Sequence, residues 1–158
     1  MSAIEPIRKR MTVACPPDRA FEVFTTGMGI WWPLDTHSIA VDQELDQRAM
    51  DLTVEPRAGG LVEEVLDDGS RRRWAEILLW DPPRRVVYRW KPNDLPTPPT
   101  EIEVRFDGDG GTTVIELEHR GWDGLGSYAE QLHPLYASEG GWTMVLGRYR
   151  DAAESVGG

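Results

Sequence analysis

The chain is poor in several kinds of residue, and each shortage excludes something. It holds one cysteine, Cys15, so no internal disulfide framework and no multi-cysteine metal site can form. Its three histidines, His37, His119 and His133, make no H-x-x-x-H or H-E-x-x-H pair that would set two imidazoles on one helical face. No metal and no cofactor is therefore expected. The run DGDGG at residues 107–111 lacks the alternating ligands and distal glutamate of a calcium loop, and reads as a hairpin turn. There is no G-x-S-x-G, no phosphate-cradling loop and no dinucleotide fingerprint; the glycines fall in turns. No apolar run approaches the roughly twenty residues of a membrane span. The first thirty residues carry no apolar leader core, so a cytoplasmic protein away from membranes is expected. Positive charge is scarce as well. A net charge of −10 and a pI near 4.7 argue against nucleic acid or an anionic membrane as partner. The short basic clusters, such as Arg71-Arg72-Arg73, read as solvated strand faces.

Tryptophan, by contrast, is abundant: seven against three phenylalanines. An indole is bulky and its N–H wants a partner, so such a chain either builds a large aromatic core or lines a cleft with some of the rings.

Most of the chain reads as short strands. Residues 5–13 alternate, with Ile7, Lys9, Met11 and Val13 on one face. Pro16-Pro17 stops that strand and opens a short helix carrying Ala20, Phe21 and Phe24 on one side. Gly27 and Gly29 end it, and a second helical piece leads to Trp31-Trp32 and the helix-stopping Pro33. Residues 35–49 are polar and mixed, and read as a mobile connection. A meander follows, with strands at 50–55, 61–66, 72–80, 86–90, 101–106 and 113–119 joined by tight turns and one Pro-rich loop. Tight connections mean an antiparallel sheet. Ser127 and Glu130 suggest a capping box for a short helix reaching about Leu132 and ended near Pro134.

Residues 138–156 then place Trp142, Val145, Leu146, Tyr149, Ala152, Ala153 and Val156 on one helical stripe. A lone amphipathic helix after a run of strands must bury its stripe on their sheet, which gives an α+β domain spanning 1–158. Gly140 and Gly141 weaken helix at its Trp142 end, so that end is the place for a gate if the protein has one.

Two titratable residues stand out. His119 shares strand phase with Ile115 and Leu117 on the inner face; it either orients a ligand or shuttles a proton, or simply bonds a backbone carbonyl. Glu76 shares phase with Trp74, Leu78 and Trp80, which makes it either an inner carboxylate or part of a solvated face.

The stretches PPDRAFEVFT, IWWP, VEPRAGG, DDGSRRRWAEILLWDPPRRVVYRW, TEIEVRF, TTVIELEHRGW and GGWTMVLGRYRDA, at these intervals, cover most of the chain. Together they resemble the START-like (SRPBCC, birch-pollen-allergen-like) superfamily. Within it they are most similar to the bacterial branch named for homology to the activator of the ninety-kilodalton heat-shock-protein ATPase. The resemblance implies the helix-grip fold: a strand, two short helices and a six-stranded meander, forming a curved antiparallel sheet wrapped around a long C-terminal helix. It also implies a cavity between sheet and helix, where many superfamily members hold apolar small molecules. The expected function is binding of an apolar or aromatic ligand there. Trp31, Trp32, Trp74, Trp90, Trp122, Trp142, Leu146 and Tyr149 are the expected walls, with His119 the first polar anchor and Tyr149 the second.

Three other readings compete. A cyclase or hydrolase would use His119 as acid–base with a second group, Glu76, converging on the same atoms. A protein-binding, co-chaperone-like module would expose an apolar patch that includes Trp31-Trp32. Finally, the tryptophans would simply fill the cavity.

Overall fold

Alternation of apolar and polar residues produces seven strands, and the short turns between them dictate their order. The computed structural model describes residues 4–93 and 95–155. The strands are β1 (Ile7–Val13), β2 (Ala49–Val54), β3 (Leu61–Leu66), β4 (Arg71–Asp81), β5 (Arg85–Trp90), β6 (Thr100–Asp109) and β7 (Thr112–Arg120). They form one antiparallel sheet in the order β1-β7-β6-β5-β4-β3-β2. Each of β2 to β7 lies beside its sequence neighbour, and β1 closes on β7 with Ile7 opposite His119. Helices α1 (Pro17–Phe24), α2 (Met28–Trp31) and α3 (Ile39–Asp42) precede β2, while α4 (Tyr128–Ala137) and α5 (Met144–Glu154) follow β7. This curled sheet with its C-terminal helix is the helix-grip architecture.

The space beneath α1 and the C-terminal half of α5 is filled with rings. Phe24 meets Tyr149 at 5.0 Å and Phe106 at 5.7 Å between centroids, and Trp31 meets Tyr149 at 5.2 Å. Edge-on aromatic pairs of this kind each add roughly 0.5–1.5 kcal/mol beyond the area they bury. The Tyr149 hydroxyl donates to the Ala20 carbonyl at 2.8 Å, and Arg19 donates to the Ala153 carbonyl at the end of α5. Of the expected stripe, Trp142, Val145, Leu146, Tyr149 and Ala153 are buried and Ala152 is half-buried; Val156 lies outside the described residues.

Elsewhere the structure corrects the sequence pattern. Residues 35–49 are not a featureless connection, because α3 forms within them. Ser38 caps it by accepting from the Val41 N–H at 3.2 Å, and Ile39 and Ala40 are buried. The capping box at Ser127 does not form, since Ser127 has helical dihedrals and no side-chain cap bond. The helix behind it runs past Pro134 to Ala137, where the proline merely removes one N–H from the ladder. The last helix starts later than its apolar stripe suggests. Residues Glu139–Thr143 make a π-type turn in which Gly141 is non-helical (φ −90°, ψ −125°), and regular helix begins only at Met144. A Cβ on Gly141 would lie 2.3 Å from the Leu135 carbonyl oxygen, so this turn accepts no side chain there.

β4 carries two register shifts, one beside Trp74 and one beside Leu78. Because side chains alternate strictly along a strand, each extra residue swaps the faces beyond it. Trp74 and Trp80 therefore face inward, while Glu76 points out and pairs with Arg89 of β5 at 3.6 Å. Glu76 is a solvated residue of the convex face, not an inner carboxylate.

Candidate ligand-binding cleft

At the Trp142 end of α5 the aromatic filling gives way to a cleft of about 370 Å³. Trp32, Trp74 of β4, Trp90 of β5 and Trp142 form its aromatic wall. The loop before α3 contributes Thr36, His37 and Ser38, with Ile39 and Asp42 from α3 itself. Pro92 and Asn93 after β5, Leu132, Leu135 and Tyr136 of α4, Ser138, the Gly140-Gly141 turn and Val145 of α5 complete it. The volume falls within the range of small-molecule sites. The four indoles pack on one another, with Trp32 5.0 Å from Trp74 and 5.9 Å from both Trp90 and Trp142.

Each indole is fixed by its own N–H. Trp32 donates to the His37 carbonyl at 2.7 Å, Trp74 to a Glu64 carboxylate oxygen at 2.8 Å, Trp90 to the Tyr136 hydroxyl at 3.1 Å and Trp142 to His119 Nδ1 at 3.0 Å. The wall therefore presents carbon to the cleft, and its rings are held before any ligand arrives.

His119 does not reach the cleft. It is fully buried behind Trp142 and Tyr136, and both ring nitrogens are used. Because the Trp142 indole can only donate, Nδ1 must accept, which puts the proton on Nε2 facing Thr100 Oγ1 at 2.7 Å. Thr100 in turn donates to the Trp90 carbonyl at 3.2 Å. Burial lowers the His119 pKa to about 3, with the nearby His133 adding to the effect. The ring is a neutral relay with no free nitrogen for acid–base work, and Glu76 lies on the opposite face of the sheet. Trp31, Trp122, Leu146 and Tyr149 also stand behind the cleft. Trp31 donates to the Val23 carbonyl and Trp122 to the His119 carbonyl, and burial raises the Tyr149 hydroxyl far above its usual pKa. Trp31 and Trp32 are only 2% and 7% exposed, so they form no surface patch for a protein partner.

Three residues that the sequence reading passed over matter more. Glu64 is fully buried; one oxygen accepts from the Ile39 N–H at 2.7 Å and from Trp74, the other from the Ala40 N–H at 3.0 Å. It ties α3 and Trp74 together, and its alternation with Val62 and Leu66 was a visible sign of an inward carboxylate. His37 Nε2 lies 2.7 Å from the Gly140 carbonyl, which can only accept, so the ring donates across the mouth of the cleft. Tyr136, whose pKa burial pushes up to about 12, is the phenol set into the aromatic wall. On the same inner face Tyr88 is buried with no hydrogen-bond partner for its hydroxyl among the described residues. No group of three or more His, Cys, Asp or Glu able to hold a metal occurs among the described residues. No described helix is long and apolar enough to cross a membrane.

Residues 14–153 match the family described as Activator of Hsp90 ATPase homolog 1-like protein. The chain belongs to that family. Its membership places it in the START-like superfamily, in keeping with the sheet and helix described above. Among solved structures it is similar to Txn09, described as an anthrahydroquino-γ-pyrone synthase, at 31% identity over 94% of this chain and 96% of the other, with a TM-score of 0.63. The self-sacrificing resistance protein CalC from Micromonospora echinospora shares the fold at 22% identity, covering 94% of each chain, TM-score 0.66. The Aha1 dimer from Colwellia psychrerythraea does so at 16% identity, covering 98% of this chain and all of that one, TM-score 0.65. No curated protein matches the chain.

Proposed function

We propose that this member of the family binds a small apolar or aromatic molecule in the cleft between the sheet, α4 and the start of α5. One observation carries the reading: a 370 Å³ cleft whose four-tryptophan wall is locked by its own indole hydrogen bonds, so that the indoles offer the ligand their carbon faces. A preorganised wall spends little of the binding free energy on ordering side chains. Burying two or three apolar groups at roughly 1.5–3 kcal/mol each is enough for micromolar affinity after association costs. The likeness to Txn09, described as an anthrahydroquino-γ-pyrone synthase, supports a ligand built on fused rings.

The test is a titration of intrinsic tryptophan fluorescence with a panel of fused-ring and aliphatic ligands. Fused-ring ligands should change the emission saturably at micromolar concentration, and Val145→Trp, which fills the cleft from α5, should abolish the change. A flat response across the panel would sink the reading.

A further inference from the structure

Resting on that cleft reading, we propose that the Tyr136 hydroxyl is a hydrogen-bond donor that selects uncharged aromatic ligands bearing a carbonyl-type acceptor at one edge. The cleft has few donors to offer. The N–H groups of Trp32, Trp74, Trp90 and Trp142 are all taken by acceptors of the protein. At the rim, Ser38 and Asn93 accept the Val41 and Leu95 N–H groups, which leaves the Ser38 hydroxyl proton and the Asn93 amide N–H₂ as donors at the edge, and Thr36 is engaged with the His37 ring at 2.7 Å.

Tyr136 differs from these because it sits within the aromatic wall, its ring 6.0 Å from Trp142. Its oxygen accepts from Trp90, and that is its one hydrogen bond among the described residues, which leaves the hydroxyl proton uncommitted. A phenol in this environment holds its proton throughout the neutral range, since burial raises its pKa to about 12. An uncommitted O–H in an apolar wall is best satisfied by an acceptor on the ligand. Accepting the Trp90 N–H polarises the phenol and strengthens that donation.

Charge decides which acceptor fits. Asp42 lines the same cleft, and its negative charge is felt at the Tyr136 hydroxyl. No lysine or arginine occurs among the described lining residues to offset it. A carboxylate acceptor would meet that repulsion in a partly desolvated site, whereas a ketone or quinone oxygen would not. The chain's net charge of −10 acts in the same direction.

Fluorenone and fluorene differ only by the carbonyl oxygen and serve as the probe pair, with fluorenone carboxylate as the anionic analogue. Dissociation constants are measured by fluorescence titration on the wild type, Tyr136→Phe and Asp42→Asn. The preference for fluorenone over fluorene should fall about three- to tenfold in Tyr136→Phe, the worth of one hydrogen bond, with fluorene affinity within about twofold of wild type. Asp42→Asn should strengthen fluorenone carboxylate several-fold relative to fluorenone, and an unchanged ratio would overturn the charge argument. A preference that survives Tyr136→Phe, with fluorene still bound, overturns the donor assignment and leaves the cleft reading standing. Failure of both ring systems to bind the wild type overturns both. Should Tyr136→Phe not fold for want of a partner for Trp90, the infrared carbonyl stretch of fluorenone bound to wild type decides alone. Displacement to lower frequency than in an apolar solvent supports the donor, and the unbonded frequency overturns it.

Discussion

The His119 relay makes a quantitative claim about acid stability. In the unfolded chain its imidazole titrates near the ordinary histidine value of about 6.5; in the folded protein burial holds it neutral down to about pH 3. Between those values the unfolded state binds a proton that the folded state refuses. Stability therefore rises with pH across this window and falls as pH drops through about 6.5 toward 3, by roughly 1.4 kcal/mol per unit. Above about pH 6.5 the contribution is fully present, and by pH 5 about 2 kcal/mol is lost, a large share of the 5–15 kcal/mol typical of a domain. Acidic groups stay out of the way in this range, because unfolded carboxylates titrate near 4. The perturbation is His119→Gln, which is neutral throughout and keeps one donor and one acceptor. Urea unfolding followed by tryptophan fluorescence at pH 7.5, 6.5, 5.5 and 5 would give each free energy by linear extrapolation. The other two histidines are common to both proteins, so the difference between them isolates His119. The variant should begin about 1–3 kcal/mol less stable through imperfect hydrogen bonding, and the gap should narrow by about 2 kcal/mol between pH 7.5 and 5. A gap constant across that range would refute the reasoning, as would an NMR titration in which the His119 ring protonates near pH 6.

Two further outcomes follow from the same packing. Glu64→Gln leaves one acceptor oxygen and a carboxamide N–H₂ facing three donors, so it should lower stability by roughly 1–3 kcal/mol. It should also speed hydrogen exchange at the Ile39 and Ala40 amides; unchanged protection there would contradict the tether. Gly141→Ala drives a Cβ to within 2.4 Å of the Tyr136 carbonyl oxygen, while Gly140→Ala enters open space. Thermal melts should show a loss of about 1–3 kcal/mol for the first and little for the second, and equal melting temperatures would mean the turn is not built as described.

The fold was legible because most of its strands obey strict alternation: β6 and β7 bury Ile102, Val104, Phe106, Ile115 and Leu117 on the phase their sequences display. The site was less so, and the reasons are local. The bulges in β4 break alternation beside Trp74, and no residue type there announces an extra residue, so alternation left the face of Glu76 open although Trp74 was expected in the wall. Reading Pro134 as a stop hid the Leu132–Tyr136 side of α4, and with it the phenol in the wall. His119 was correctly placed inward, but whether an inward imidazole meets ligand or protein depends on Trp142, 23 residues further along the chain. The tryptophans of the wall were visible as a class; only the tertiary structure separates Trp32, Trp74, Trp90 and Trp142, which line the cleft, from Trp31 and Trp122, which do not.

Glu64 and His119 then share one role. An indole wall gains rigidity only if each N–H finds an acceptor inside the protein, and a mostly hydrocarbon interior supplies few. Here Glu64 serves Trp74 and His119 serves Trp142, each acceptor being held in turn by a second element: Glu64 by the N–H groups of α3, His119 by Thr100 of β6. The arrangement anchors Trp74 to α3 through Glu64 and Trp142 to β6 through His119. Disturbing Glu64 should loosen the α3 side, and disturbing His119 the α5 side, without either residue touching a ligand. Effects of such substitutions on affinity would therefore report loss of preorganisation, and rings freed in this way would bind more weakly while leaving the choice between fluorenone and fluorene, set by Tyr136, unaltered.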